Sequence, residues 1–328
     1  MKNALRILTA GLLLQAFSFC AVLLRGEETS DRVTLFPKFV PGQSVTYDIG
    51  YSAETNTTTE SSVAAPMAPT GGKTEVHLLL RAEVEGLGVD AAMPFARLRT
   101  YILEPDALPA ANAAMSSAGS RSDERPAKLV EFTLFQNGQV ADLVGLDALS
   151  ADEQAAWREW LGRFGVEGAL PERGLKPGDK WRTEEPIANA LLTGLSWDKE
   201  SQYVDDEPCG AAVGALQSAS SPVVGAQETC AVILTTASLR QKSPQKDATP
   251  QDYKLHDLRT SGIAKGKNEV ITYISLKSGL VVRATEDAAQ SMTVTVAKTD
   301  GSNRVHYNID AQSHSLVRLT SAPPANQP

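Results

Sequence analysis

Alternation of apolar and polar residues is the feature that most restricts this chain. In "TEVHLLLRAEV" (Thr74 to Val84), Val76, Leu78, Leu80, Ala82 and Val84 fall on one side of an extended strand, with His77, Arg81 and Glu83 on the other. In "SMTVTVAK", Met292, Val294 and Val296 alternate with Ser291, Thr293 and Thr295. In "RVHYNIDA", Val305, Tyr307, Ile309 and Ala311 alternate with His306, Asn308 and Asp310. A pleated strand sends successive side chains to opposite faces, so this period predicts half-buried strands in an antiparallel sheet with one wet face. "TCAVILTTASL" and "EVITYISLKSGLVVRATE" add strands, the second a hairpin turning at Ser278-Gly279. The expected fold is mainly β.

One segment breaks the period. "LSADEQAAWREWLGRFG" has Ser150 as N-cap and Glu153 three residues later, the capping-box pattern. Trp157, Trp160, Leu161 and Phe164 then form one apolar stripe at helical spacing, and Gly165 suits a left-handed stop. The helix, residues 150–164, is expected to press this stripe against the sheet. A helix lying on a membrane surface would carry more cations than Arg158 and Arg163.

Turn chemistry organises the rest. Pro41-Gly42 in "FVPGQSVTY" recurs as Pro177-Gly178 in "GLKPGDKW", each just before a strand with an aromatic near its start, Tyr47 and Trp181. Asn137-Gly138 in the first half corresponds to Ser278-Gly279 in the second at nearly the same separation. Two similar β halves are therefore expected, residues 33–165 ending in the helix and residues 174–320. Because any turn uses Pro-Gly and Asn-Gly, independent turn chemistry is the alternative. Ala53–Gly72, Pro109–Pro126 and Gln241–Asp252 are rich in Thr, Ser, Ala or Pro and are expected to be loops. "EGLGVD" is expected to be a turn, and residues 321–328 a disordered tail.

These motifs carry a resemblance. "LPERGLKPGDKW" and "SLKSGLVV", after an early "PG-x-x-x-x-Y" strand, resemble a pattern of uncharacterised exported bacterial β-proteins. In architecture such chains look like the lipoprotein-carrier type, a strongly curved antiparallel sheet with helices against its concave face. The resemblance implies an envelope location and an apolar cavity that holds a lipid or lipidated peptide. It transfers no ligand residue, because the shared motifs are turns.

The start of the chain agrees with export. Lys2 and Arg6 precede an uncharged, mostly apolar run from Ile7 to Leu24, followed by Glu27 and Glu28. Residues 1–26 are expected to be a signal, with a retained membrane anchor as the alternative because a small-x-small cleavage site is missing. The formal net charge of −8 becomes more acidic still without Lys2, Arg6 and Arg25, so nucleic acid is not an expected partner. Beyond Cys20, the chain keeps Cys209 and Cys230, an even pair that an oxidising compartment would join, with two buried free thiols as the alternative.

Catalytic motifs are missing. The four histidines, His77, His256, His306 and His314, form no His-Glu-x-x-His pair, and His306 and His314 meet only if a hairpin brings them together. There is no Gly-x-Ser-x-Gly elbow, phosphate loop or Cys-x-x-Cys. Arg97 and Arg99 are expected on a solvated strand face, and Asp179 as a turn acceptor. No cofactor or metal is expected. Three classes remain: a non-catalytic binder of an apolar ligand, with the stripe Trp157, Trp160, Leu161 and Phe164 lining its cavity; a structural or assembly module of the envelope; and an enzyme with an unmarked site.

Overall fold

The computed structural model describes residues 32–62, 68–90, 93–103, 128–136, 138–164, 170–171, 174–187, 190–210 and 228–321. The segments expected to be an export signal (1–26) and a loop (109–126), and the end of the tail (322–328), lie outside these residues, as does Gly165. From Thr34 onward the described residues belong to one unit.

The period-two segments form eleven strands. In the first part of the chain these are β1 (Ser44–Ser61), β2 (Thr70–Asp90), β3 (Met93–Leu103), β4 (Lys128–Phe135) and β5 (Val140–Val144). After the helix α1 (Ala151–Gly162) come β6 (Lys180–Pro186), β7 (Leu195–Pro208) and β8 (Thr229–Gln241). A short helix α2 (Gln251–Leu255) precedes β9 (Leu258–Ser275), β10 (Val281–Lys298) and β11 (Val305–Ser321). All pair antiparallel in one curved sheet, ordered β5-β4-β3-β2-β1-β11-β10-β9-β8-β7-β6. Every neighbour is consecutive in the chain except β1 and β11, which join the two runs at the centre. Register shifts at Thr46/Tyr47, Val84/Gly86, Glu131/Thr133, Tyr203/Asp205 and Val281/Arg283 each bend a strand, which is how a long sheet acquires coil.

The first Pro-Gly turn leads into five strands, β1–β5, and the second into six, β6–β11, and both glycines have positive φ. The hairpin glycines Gly138 and Gly279 also have positive φ, which a side chain resists. Equivalence of the two halves stays an expectation, to be tested by superposing residues 39–145 on 174–290.

Two stretches expected to be irregular are strand. Ala53–Ser61 continues β1, and Thr70–Gly72 opens β2. Thr57 and Thr59 lie opposite Ile309 and Tyr307 of β11, so the threonines act through their β-branched fit to a pleated surface rather than as loop formers. "EGLGVD" lies within β2. Gly88 there faces Phe95 so closely that a Cβ would sit 2.4 Å from the ring, so the glycine makes room for the aromatic.

The register assigns the faces. One row, Ile49–Val317–Ala284–Thr272–Ile233–Tyr203, crosses six strands on the inner side. The next row, Tyr51–Ser315–Glu286–Val270–Thr235–Ser201–Trp181, turns polar at its centre. α1 lies on this inner face, with Ser150 and Glu153 forming the expected capping box and Lys128 of β4 pairing with Glu153 at 2.7 Å. A cap of this kind contributes about 1 kcal/mol. Cys209, just past β7, is disulfide-bonded to Cys230 at the start of β8, with their Cα atoms 5.0 Å apart. Closing such a loop stabilises a fold by about 3 kcal/mol.

Candidate functional site

The stripe of α1 is packed, not open. Trp157, Trp160, Leu161 and Phe164 are 1%, 2%, 8% and 4% exposed. Trp157 meets Phe132 edge-on at 5.5 Å and its indole N–H donates to Thr100 Oγ1 at 3.0 Å. Trp160 stacks edge-on against Tyr47, Phe132 and Phe164. The void touching Trp160 and Phe164 measures only ≈ 10 Å³. The stripe therefore fills the inner face over β1–β4, as apolar helical stripes commonly do.

An apolar pocket opens at the end of this packing. Its volume is ≈ 430 Å³, and it is lined by Phe36, Phe39, Leu87, Phe95, Phe135 and Phe164 together with two prolines. Among the described lining residues Lys38 alone is charged. The rings of Phe95 and Phe135 are 5.7 Å apart, paired across β3 and β4 by register. Leu87 stands 49% exposed at the rim, and Val40 and Val89 nearby in sequence are 59% and 69% exposed. Of the four stripe residues, Phe164 alone reaches this pocket. The sequence signal for the site was therefore the scattered phenylalanines, which share no periodic pattern.

A second opening, ≈ 370 Å³, lies on the inner face between α1 and the later strands. Trp181, Trp197, Ile233 and Val270 line it, and so does the polar side of α1, through Arg158, Glu159 and Arg163. Its floor holds a compact charge cluster. The Arg163 guanidinium pairs with Glu159 one turn earlier and with Glu286 of β10, and donates to Ser315 Oγ at 3.2 Å. Asn268 Nδ2 donates to Glu286 Oε1 at 2.5 Å. Burial pushes the Glu159 carboxyl up to about 7; Arg163 opposes this, and the neighbouring Glu286 adds to it. Burial also works against the Glu286 charge, but Arg163 outweighs it and holds Glu286 below the usual carboxylate range.

The third opening, ≈ 990 Å³, is a polar groove whose lining includes outward-facing charges. Those charges are largely paired within the sheet: Arg182 with Glu200, Arg240 with Asp198, and His314 with Asp287. It has the character of a solvated strand face.

The remaining sequence candidates do not converge. His306 and His314 both lie on β11, not across a hairpin, and they bond Thr295 and Asp287 respectively. His256 ends α2, and its Nδ1 contacts the Asp252 carbonyl. Arg99 is tied to Glu85 and Glu131 on the sheet surface. Asp179 accepts from the Lys176 N–H at 3.2 Å within its turn. Among the described residues no group of three His, Cys, Asp or Glu side chains could hold a metal ion. Nor, among them, is any helix long and apolar enough to cross a membrane.

No protein-family model matches the chain, and no curated protein is similar to it in sequence. Among solved structures, the chain is similar to a candidate lipoprotein from Parabacteroides distasonis, with 9% identity and a TM-score of 0.29 over 89% of this chain and 100% of that one. It is also similar to the outer membrane protein OprG from Pseudomonas aeruginosa, with 6% identity and a TM-score of 0.18 over 84% of this chain and 96% of that one. Likenesses this distant say nothing about what the chain does.

Proposed function

We propose that the protein is a non-catalytic, extracytoplasmic envelope protein that holds an apolar chain, from a lipid or a lipidated peptide, in the phenylalanine-lined pocket. The observation that carries this is the pocket itself: ≈ 430 Å³, within the range of ligand sites, with five phenylalanines and a single charged residue in its described lining. The exposed apolar residues Val40, Leu87 and Val89 support it, because clustered exposed apolar side chains mark binding grooves. The export-type N-terminus and the Cys209–Cys230 bond fit an oxidising compartment. The packed stripe of α1 favours a second reading, a structural module of the envelope with no ligand.

Titration with the neutral dye N-phenyl-1-naphthylamine separates the two. The ligand reading expects saturable fluorescence enhancement, weakened at least about tenfold in Leu87→Asp and in Phe135→Asp, since an unpaired charge is costly in an apolar site. Dye binding that is absent in the wild type, or unchanged in both variants, would overturn the ligand reading and favour the structural module.

A further inference from the structure

We propose that the Glu159–Arg163–Glu286 cluster is a proton-sensitive clamp on the end of α1, and that through Phe164 it governs how fast an apolar ligand exchanges with the pocket. This rests on reading the phenylalanine-lined pocket as the ligand site. The two sites adjoin through one peptide bond. Arg163 is the C-cap of α1 and sits in the charge cluster, while Phe164 is part of the pocket wall. The Phe164 N–H bonds back to the Leu161 carbonyl, so the two side chains move with the same final turn.

The helix is held to the sheet in two different ways. Its stripe packs on the earlier strands through Trp157 and Trp160. Its polar side reaches β10 and β11 through Arg163, Glu159, Glu286 and Ser315. The side chains of Arg163 and Glu286 are only 10% and 13% exposed, so their balance of charge matters more than at a surface. Every charged or titratable neighbour enters that balance. Asp152 and Arg158 come from α1 itself, Tyr51 from β1, and the Glu185–Lys199 pair from β6 and β7 across the cleft. The last pair is self-neutralised. Tyr51, its hydroxyl held in the neutral form by burial and then by Glu159, Glu286 and Asp152, contributes no charge.

Asp152 and Arg158, of opposite sign on the same helix, offset each other, and what remains is one guanidinium between two carboxylates. With a proton on Glu159, Arg163 and Glu286 balance, and the Glu159 carboxyl bonds the Glu286 carboxylate. Loss of that proton leaves one surplus negative charge and sets two carboxylates against each other in a shielded site. β10 is fixed between β9 and β11, so the end of the helix is the part that gives. The sign follows from the raised carboxyl: the clamp is complete below the ordinary carboxylate range and is lost as pH rises through about 7.

The test is the release rate of N-phenyl-1-naphthylamine from the full chain, chased with neutral phosphatidylcholine vesicles between about pH 6 and about pH 8. The dye is uncharged throughout, so only the protein titrates. Release from the wild type is expected to quicken by about tenfold over that interval, one decade per unit of coupled shift. Glu159→Gln keeps the hydrogen bond without the charge and is expected to release slowly at both ends. Glu286→Gln leaves a balanced Glu159–Arg163 pair and is expected to be equally flat. A wild-type rate independent of pH, or a pH dependence that survives in Glu159→Gln, overturns the clamp while leaving the pocket intact. Dye that binds at neither pH overturns the pocket reading, and the clamp's role with it.

Discussion

At the scale of single residues, the inner face contains a group that the fold leaves without a partner. Tyr47 is fully buried, edge-on to Trp160 and Phe164, and its hydroxyl has no hydrogen-bond partner among the described residues. Burial alone holds that hydroxyl in its neutral form well above the usual phenol range. A buried donor left unmade costs about 1–3 kcal/mol, whereas removing it with shape kept is close to neutral or stabilising. Tyr47→Phe is therefore expected to raise the free energy of unfolding by up to about 1–2 kcal/mol, measured by urea unfolding. A loss of more than about 1 kcal/mol would show that the hydroxyl has a partner after all. Tyr47 was legible in the sequence as a strand anchor. Glu286 was not legible as anything more than one acid among many. Only the register reveals that Ala284, Glu286 and Ala288 share the inner face, placing a charge where its neighbours are small. Its partner Arg163 lies 123 residues away, a separation no local pattern spans.

At the scale of elements, α1 was read almost completely from sequence: its cap, its length and the stripe that it buries. Capping boxes and helical stripes are local, so they survive without knowledge of the fold. The hairpins at Gly138 and Gly279 were legible for the same reason. The threonine-rich part of β1 was not. Its composition matches a loop, and its order comes from pairing with β11 on one side and β2 on the other. The contribution of α1 to the core can be measured. Trp160→Ala removes a side chain that is 2% exposed and contacts four other rings, and it is expected to cost about 3–5 kcal/mol. A cost below about 1 kcal/mol, in the same unfolding assay, would mean that α1 lies loosely on the sheet.

At the scale of the whole unit, the first strand lies at the centre of the sheet beside the last, with β1 next to β11. That leaves β5 and β6 as the two sheet edges, though they follow one another in the chain with α1 between them. No periodicity encodes this order, because each strand would alternate identically in any position. The phenylalanine-lined pocket depends on it. Phe39, Leu87, Phe95, Phe135 and Phe164 come from five separate stretches and meet only once the sheet is assembled. The most direct test of the ligand reading is photolabelling of the full chain with an alkyl-diazirine fatty acid, followed by peptide mapping. The expected adducts lie on the peptides that carry Phe95, Phe135 and Leu87. Adducts confined to the peptides of Trp181 and Trp197, or no saturable labelling, would contradict it.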